Sequence, residues 1–139
     1  MPSEKFPKLA ADAVVNLNTK ILLIQRKNDP FKGRWALPGG FVEYKESPEV
    51  AVLRELYEET NLKGKNPRLI GVFGHPDRDP RGHVVSVSYS VEVEDVNCLK
   101  GGDDAKEAKM FDLSEVMAKD DFLAFDHKKI LEQYLNSKK

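Results

Sequence analysis

Three glutamates within five residues are the most chemically informative feature of this chain. Glu55, Glu58 and Glu59 occur in the run RELYEET, and an α-helix of 3.6 residues per turn places all three on one face. Carboxylates at this spacing repel each other, and the C-terminal turn of a helix already carries the negative end of its dipole. Carboxylates without a nearby histidine or cysteine favour Mg²⁺ over zinc, which indicates metal-dependent phosphate chemistry. The alternative is an ordinary solvated acidic face.

The residues before these glutamates predict the helix that positions them. Ser47 can cap the first free amides, Pro48 suits the first helical position, and Glu49 suits the positive end of the dipole. Helical periodicity predicts an apolar face roughly opposite the glutamates. The residues expected on that face are Val50, Leu53, Leu56 and Tyr57.

The same stretch resembles the catalytic box of the Nudix hydrolases, G-x5-E-x7-R-E-U-x-E-E-x-G-U, where U is aliphatic. The matching residues are Gly40, Glu46, Arg54, Glu55, Leu56, Glu58, Glu59 and Leu62. The one departure is Asn61 in place of glycine, and asparagine is the next-best residue for a left-handed conformation that closes a helix. The approach KGRWALPGGFVE is also typical of the family, and the stretch GHPDRDPRGHVVSVSY is similar to its ADP-ribose pyrophosphatase branch.

The resemblance implies a three-layer α/β/α fold with a mixed sheet, in which the box forms a loop, a helix and a loop. It also implies a metal site of Glu55, Glu58 and Glu59, completed by a backbone carbonyl of Gly39 or Gly40. We expect Arg54 to pair with Glu46 and to orient the glutamates, since an arginine fork matches carboxylate geometry. Glu58 is the first candidate for the general base, and the candidates outside the box are Glu107 and Asp104, the latter also a candidate metal ligand.

A second group of candidates concerns the rest of the substrate. In the loop HPDRDPRGH, Arg78 and Arg81 are candidates for binding phosphate or ribose, and Asp79 is a candidate acceptor for a ribose hydroxyl. The alternative is an irregular connection held by arginine–aspartate pairs. Before the box, Arg26 and Arg34 are further phosphate candidates, each weighed against a surface role. Trp35 is a candidate for stacking on adenine, although a single tryptophan is more often part of a core.

The resemblance implies Mg²⁺-dependent hydrolysis, with Mn²⁺ as a substitute, of a nucleoside diphosphate linked to a second group. ADP-ribose, giving AMP and ribose 5-phosphate, is the leading expectation. The alternatives are a dinucleoside polyphosphate, NADH or a damaged nucleoside triphosphate, because the box reports the reaction and not the second group. A non-catalytic sensor of ADP-ribose or another nucleotide is a different class, and the intact acidic positions favour an enzyme over it. Family members also suggest a homodimer.

Composition agrees with one small domain spanning residues 1–139. The net charge of the 139 residues is -1 with both signs interspersed, so neither nucleic acid nor a membrane surface is an expected partner. Cys98 is the single cysteine, which excludes an internal disulfide framework. No apolar run reaches the length of a signal peptide or a membrane span, and we expect a cytoplasmic protein.

Apolar patterning predicts where the strands lie. Two segments, 10–17 and 21–26, surround Asn18-Thr19-Lys20 and indicate a hairpin. Further strands are predicted at 68–73, 83–93 and 109–111, with a loop over NDPFKGRWALPGG between the hairpin and the box. A turn of helix is expected near Ser114, followed by a closing helix that Asp126 caps and that buries Ile130, Leu131 and Tyr134.

Overall fold

The computed structural model describes residues 5–101 and 105–138, with eight strands and three helices among them. The strands are β1 (Lys8–Val14), β2 (Asn16–Leu17), β3 (Lys20–Arg26), β4 (Trp35–Ala36), β5 (Gly39–Phe41), β6 (Lys65–Phe73), β7 (Val84–Glu92) and β8 (Ala105–Asp112). The helices are α1 (Pro48–Thr60), α2 (Leu113–Met117) and α3 (His127–Ser137). No helix in the described ranges combines the length and apolarity needed to span a bilayer.

The predicted mixed sheet is present, and a second sheet accompanies it. In the first sheet the order is β5-β1-β7-β6, where β1 runs parallel to β7 and the other pairs are antiparallel. The second sheet is antiparallel, with β3 between β4 and β8 and with β2 paired to its beginning. Strand β5, which carries Gly39 and Gly40, is an edge strand beside β1, and this places the start of the box against a buried strand.

The predicted hairpin is correct only near its turn. Asn16 pairs with Ile21 and Leu17 with Lys20, and Asn18 takes the left-handed conformation that the turn requires. The earlier part of the first segment is β1, which pairs with β5 and β7 in the other sheet. Because β1 is a central strand, both of its edges need hydrogen-bond partners from distant parts of the chain. Local apolar patterning does not encode those partners.

Alternate residues of β3 show that helices cover both faces of the strands. Leu22 packs in a core with Val52 and Leu56 of α1, whereas Ile21 and Leu23 pack in a second core with the helices that follow β8. Successive side chains of a strand point to opposite faces, so the strands lie between two helical layers. The three-layer α/β/α prediction is confirmed.

Helix α1 begins and ends as predicted, but its buried face differs from the predicted one. The Ser47 hydroxyl accepts a hydrogen bond from Val50, and Asn61 closes the helix in the left-handed conformation, with its amide donating to the Tyr57 carbonyl. Val50 is 56% exposed and Tyr57 is 47% exposed, so the prediction that both belong to the core was wrong. The fully buried residues are Ala51, Val52 and Leu56, together with Thr60.

The rotation of α1 brings two of its carboxylates beside the core instead of opposite it. Glu59 is 6% exposed and Glu55 is partly buried, while Glu58 lies nearer the solvent. Glu59 faces strand β5, where the Gly39 amide donates a hydrogen bond to its carboxylate. Helical periodicity could group the three residues on one face, but it could not tell which neighbour that face would meet.

Smaller differences follow from pairing between distant segments. The predicted loop before the box contains the short strand β4, because Ala36 pairs with Ile24. Strand β8 is longer than the predicted strand 109–111, because it pairs along the whole of β3. In α3 the buried face is as predicted, but the Asp126 side chain makes no capping hydrogen bond. It pairs with Arg78 instead.

Candidate active site

A cavity of about 410 Å³ joins the box to the loop of residues 75–83. One part of its wall comes from Gly39 and Gly40 of β5 and from the carboxylates of Glu55 and Glu59 on α1. The other part carries the arginines, and the sequence contains no local signal that these two regions meet. The predicted site residues in the wall are Arg26, Gly39, Gly40, Glu55, Glu59, Arg78, Asp79 and Arg81.

Arg54 connects the acidic residues of the box. Its Nε and Nη2 donate to the two carboxylate oxygens of Glu46 at 2.7 and 2.9 Å. Its Nη1 donates to Glu55 at 3.0 Å and to Glu58 at 3.1 Å, and its Nη2 also reaches the Phe41 carbonyl. The expected pairing of Arg54 with Glu46 is therefore present. A fixed guanidinium fork holds several carboxylates in one arrangement and offsets their repulsion.

The same pair changes the protonation behaviour of both partners. The hydrogen bonds from Arg54, together with one from the Glu43 amide, lower the pKa of Glu46 from 4.5 to about 2. The hydrogen bond to Glu46 raises the pKa of Arg54 above its usual value despite partial burial of the guanidinium. Both groups are thus charged at neutral pH, and the box keeps its central ion pair over the physiological range.

Gly39 and Gly40 allow β5 to approach the box carboxylates. The Gly39 amide donates to Glu59 Oε1 at 2.7 Å. A Cβ on Gly40 would lie 2.5 Å from the carboxyl carbon of Glu55, and a Cβ on Gly39 would collide with the carboxylate of Asp12. Both glycines are required by close approach and not by unusual backbone angles, because a side chain at either position would displace a carboxylate.

The donor set of the box suits a hard divalent cation. Glu55 and Glu59 share the cavity wall with the backbone of Gly39 and Gly40, and all of these donors are oxygens. Within residues 5–101 and 105–138, no three acidic, histidine or cysteine side chains converge as a ready-made metal site. Glu55 and Glu58 lie 3.0 and 3.1 Å from the Arg54 guanidinium. Glu58, the candidate base, is not among the described residues that line the cavity.

In the loop of residues 75–83, arginine–aspartate pairs hold Arg78, Asp79 and Arg81. Arg78 is almost fully buried and makes a two-point ion pair with Asp126, with N–O distances of 2.6 and 2.9 Å. Burial lowers the pKa of Arg78, but the hydrogen bonds and the negative charge of Asp126 raise it. The net effect is a pKa above the usual arginine value. Arg78 thereby fixes the loop to the start of α3. Its role in binding phosphate stays a prediction. The Arg78 guanidinium already has a carboxylate partner in Asp126.

Asp79 and Arg81 form the second pair of this loop. Both oxygens of Asp79 accept hydrogen bonds from the Arg81 guanidinium, at distances from 2.7 to 3.2 Å, and Oδ1 also accepts from the Arg81 amide. Burial raises the pKa of Asp79 and these hydrogen bonds lower it, and the net effect is a lower pKa. Arg81 is the more exposed partner, and its guanidinium extends along the cavity wall.

The remaining candidates lie apart from this wall. Trp35 packs against Phe111 and Phe122, with ring centres 4.6 and 6.4 Å away, as a core tryptophan does. Within the described ranges, neither Trp35 nor Arg34 lines the cavity, and Arg34 lies over the ring of Phe31. Glu107 is exposed on β8 and pairs with Lys109 at 3.8 Å. Asp104 lies outside the described residues.

The structure adds two buried polar residues that the sequence analysis missed. Asp12 of β1 is 7% exposed, and it accepts a 2.5 Å hydrogen bond from Ser86, which also contacts Ser88. His127 accepts a hydrogen bond from the Leu37 amide through Nδ1, and burial lowers its pKa, which keeps the ring neutral. Both line the cavity. An aspartate inside the apolar run LAADAVV was the available signal for the first.

The chain is similar to proteins of one known family. The family model for the NUDIX domain matches residues 7–134. This chain belongs to the Nudix family. It is similar to the ADP-ribose pyrophosphatase of Methanocaldococcus jannaschii, with 52% identity over 132 residues that cover 95% of this chain and 75% of that protein. The family and this relative identify the chain as a Nudix hydrolase.

Solved Nudix structures have the same fold. A bifunctional NMN adenylyltransferase/ADP ribose pyrophosphatase from Francisella tularensis, complexed with AMP and a manganese ion, matches with a TM-score of 0.86 and 33% identity, over 97% of this chain and 43% of that chain. The NUDIX domain of Shewanella oneidensis NrtR, complexed with ADP ribose, matches with a TM-score of 0.86 and 33% identity, over 99% of this chain and 92% of that chain. This chain thus spans less than half of the Francisella protein.

Proposed function

We propose that this protein is a Mg²⁺-dependent ADP-ribose pyrophosphatase that produces AMP and ribose 5-phosphate. The observation that carries the proposal is that box carboxylates and arginine side chains line one and the same cavity. A diphosphate needs both: carboxylates to hold its metal counter-ion, and guanidinium groups to bind its oxygens. The similarity to the Methanocaldococcus pyrophosphatase supports ADP-ribose over other diphosphates.

In this proposal Glu55, Glu58 and Glu59 hold the cation together with the backbone of Gly39 or Gly40. Magnesium, when bound, neutralises the diphosphate and lowers the pKa of a coordinated water, and manganese substitutes for it. Arg54 keeps the carboxylates in place through Glu46, Glu55 and Glu58. The oxygen of the attacking water forms a new bond to one phosphorus while the bridging P–O bond breaks, and Glu58 accepts the proton of that water.

In this proposal the arginines of the cavity wall complete the substrate site. Arg81 and Arg26 line the cavity, and we assign them to the oxygens of the diphosphate. Arg78 is committed to Asp126, so its part is to hold the loop in place and to add positive charge to the wall. We assign no substrate contact to Trp35, whose ring is packed among Phe111 and Phe122.

The direct test is hydrolysis by the purified protein, with product identification by chromatography. We expect Mg²⁺-dependent conversion of ADP-ribose to AMP and ribose 5-phosphate, with Mn²⁺ as a substitute. A parallel panel of a dinucleoside polyphosphate, NADH and oxidised nucleoside triphosphates determines the specificity. A strong preference for any of these over ADP-ribose rejects the proposed substrate while leaving the hydrolase assignment in place.

Two matched glutamine variants test the general base. Glu58→Gln is expected to lower kcat by about 10²- to 10⁴-fold, the usual contribution of a general base. Glu107→Gln is the control, because Glu107 is exposed on β8 and pairs with Lys109. If Glu107→Gln had a much lower kcat while Glu58→Gln stayed active, the role of general base would belong to Glu107.

A ligand-sensing function is the second candidate, and the Shewanella NrtR domain complexed with ADP ribose is the observation that favours it. The two functions differ in turnover and not in binding. If the wild type bound ADP-ribose in calorimetry but hydrolysed nothing with any divalent cation, the sensor assignment would replace the enzyme.

We further propose a homodimer. Strand β6 is an edge strand of the first sheet, and its Leu69 and Val72 are 62% and 63% exposed. Exposed apolar side chains on an unpaired strand edge are typical of an association surface. Light scattering after gel filtration would distinguish a dimer from a monomer, and Leu69→Lys is expected to shift a dimer toward the monomer.

A further inference from the structure

Phe125 contacts two of the arginines in the cavity wall. The guanidinium carbon of Arg26 lies 4.9 Å from the centre of its ring, and that of Arg81 lies 5.5 Å from it. Both distances are within the range in which the negative face of an aromatic ring attracts a cation. Arg26 belongs to β3 and Arg81 to the loop of residues 75–83, so Phe125 is a point at which two distant parts of the site meet.

Other contacts fix the directions of the two guanidinium groups. Arg26 Nε donates to the Pro30 carbonyl at 2.6 Å, and Arg81 is held along one edge by Asp79. Arg81 also lies 5.4 Å from the ring centre of Phe41. Two cations repel each other, and attraction of both to one aromatic ring offsets part of that repulsion.

The backbone at Phe125 indicates that this placement carries a cost. Its φ is 53°, a left-handed conformation that bulky residues rarely adopt. Such strain persists where the surrounding structure fixes it, and it is concentrated at functional sites. Here the residue before it is fully buried and hydrogen-bonded, through the Ala124 amide, to the Trp35 carbonyl, while Asp126 after it holds Arg78.

Phe125 also contacts Phe31, with ring centres 5.0 Å apart in an edge-to-face arrangement. This contact accounts for some packing, but it needs only one edge of the ring. Phe125 lines the cavity together with both arginines, whereas Phe31 does not belong to the described lining. Packing against Phe31 therefore does not account for the two guanidinium contacts.

We propose that Phe125 is a positioning residue whose ring holds the guanidinium groups of Arg26 and Arg81 against the cavity, where they bind the diphosphate of the substrate. The inference rests on the proposed function for the identity of the substrate, but its physical content is affinity for a diphosphate. Loss of the ring should weaken ground-state binding more than the chemical step, because the ring acts through the two arginines that it holds.

The test measures binding of inorganic pyrophosphate by calorimetry and KM and kcat for ADP-ribose. Phe125→Leu is expected to raise the pyrophosphate Kd and the KM by about 5- to 30-fold, as for one or two lost cation–π contacts, with kcat changed less than the KM. Phe125→Tyr keeps an aromatic ring, so its pyrophosphate Kd and its KM are expected to stay near the wild-type values. Phe125→Met offers a second ring-free side chain, with the same expected result.

The matched control is Phe122→Leu. Phe122 lies in the same segment, and Lys119 Nζ lies 4.7 Å from the centre of its ring. Phe122 packs on Trp35, away from the cavity. The Phe122→Leu variant should have a lower free energy of unfolding but an unchanged pyrophosphate Kd. Unchanged affinity in both ring-free variants of Phe125, or an equal loss in Phe122→Leu, overturns the inference. If pyrophosphate affinity depends on the Phe125 ring but the wild type does not hydrolyse ADP-ribose, only the proposed substrate is rejected.

Discussion

Gly40 and Glu55 approach each other so closely that no side chain fits between them. A Cβ on Gly40 would lie 2.5 Å from both the carboxyl carbon and Oε2 of Glu55. Gly40→Ala is therefore expected to push the Glu55 carboxylate out of position and to lower kcat/KM by about 10²-fold, as displacements near 1 Å in a catalytic site do. Steady-state kinetics with ADP-ribose measures the loss.

The same substitution at another glycine provides the control. A Cβ on Gly74 would meet Val85 at 3.4 Å, which is an ordinary van der Waals distance. Gly74→Ala should leave kcat/KM near the wild-type value. Full activity in Gly40→Ala would show that the Glu55 carboxylate can move without affecting catalysis.

Arg54 is expected to act on the box as a fork, so lysine should not replace it. A lysine can supply one charge but not the simultaneous contacts of Nε, Nη1 and Nη2 with Glu46, Glu55 and Glu58. We expect Arg54→Lys to lower kcat by at least about tenfold, since misplaced carboxylates misplace the cation. Activity equal to wild type over a range of Mg²⁺ concentrations would contradict this role.

Acid should remove the stabilisation supplied by Glu46. Its pKa is lowered from 4.5 to about 2 in the folded protein, so the unfolded chain takes up the proton first as pH falls. The contribution is complete above about pH 5 and is lost progressively between about pH 5 and pH 2. Urea unfolding of the wild type and Glu46→Gln should differ by about 1–3 kcal/mol at pH 7, and the two curves should converge in acid. If the difference in unfolding free energy between the two proteins stayed constant down to about pH 2.5, the lowered pKa of Glu46 would not be its cause.

The Arg78–Asp126 pair is expected to govern stability. The Arg78 side chain is 4% exposed and that of Asp126 is 15% exposed, so removal of one partner leaves an uncompensated charge in the interior. Asp126→Asn should lower the free energy of unfolding by about 3–5 kcal/mol in chemical denaturation. Glu94→Gln is the control, because the Lys65–Glu94 pair is exposed at 3.9 Å and pairs of that kind contribute about 0–1 kcal/mol. Equal effects in the two variants would show that burial of Arg78 adds nothing.

Interactions between near neighbours in the chain were accessible from the sequence. The cap at Ser47, the left-handed Asn61 and the pairing of Arg54 with Glu46 each depend on residues within one loop or helix, where spacing fixes geometry. The box spacing likewise indicated the family. These features could be predicted because a short segment with strong local preferences has few alternative conformations.

Only the tertiary structure decided which face of α1 is buried and what the glutamates meet. Val50 and Tyr57 have apolar side chains but are exposed, because the helix turns Glu59 toward the Gly39 amide. The arrival of Phe125 beside Arg26 and Arg81 had no sequence signal, since these residues are far apart in the chain. Local periodicity records the preferences of one element, whereas a site assembled from β3, β5, α1 and two loops depends on packing between elements. The sequence thus determined the reaction class, and the fold determined which side chains line the cavity.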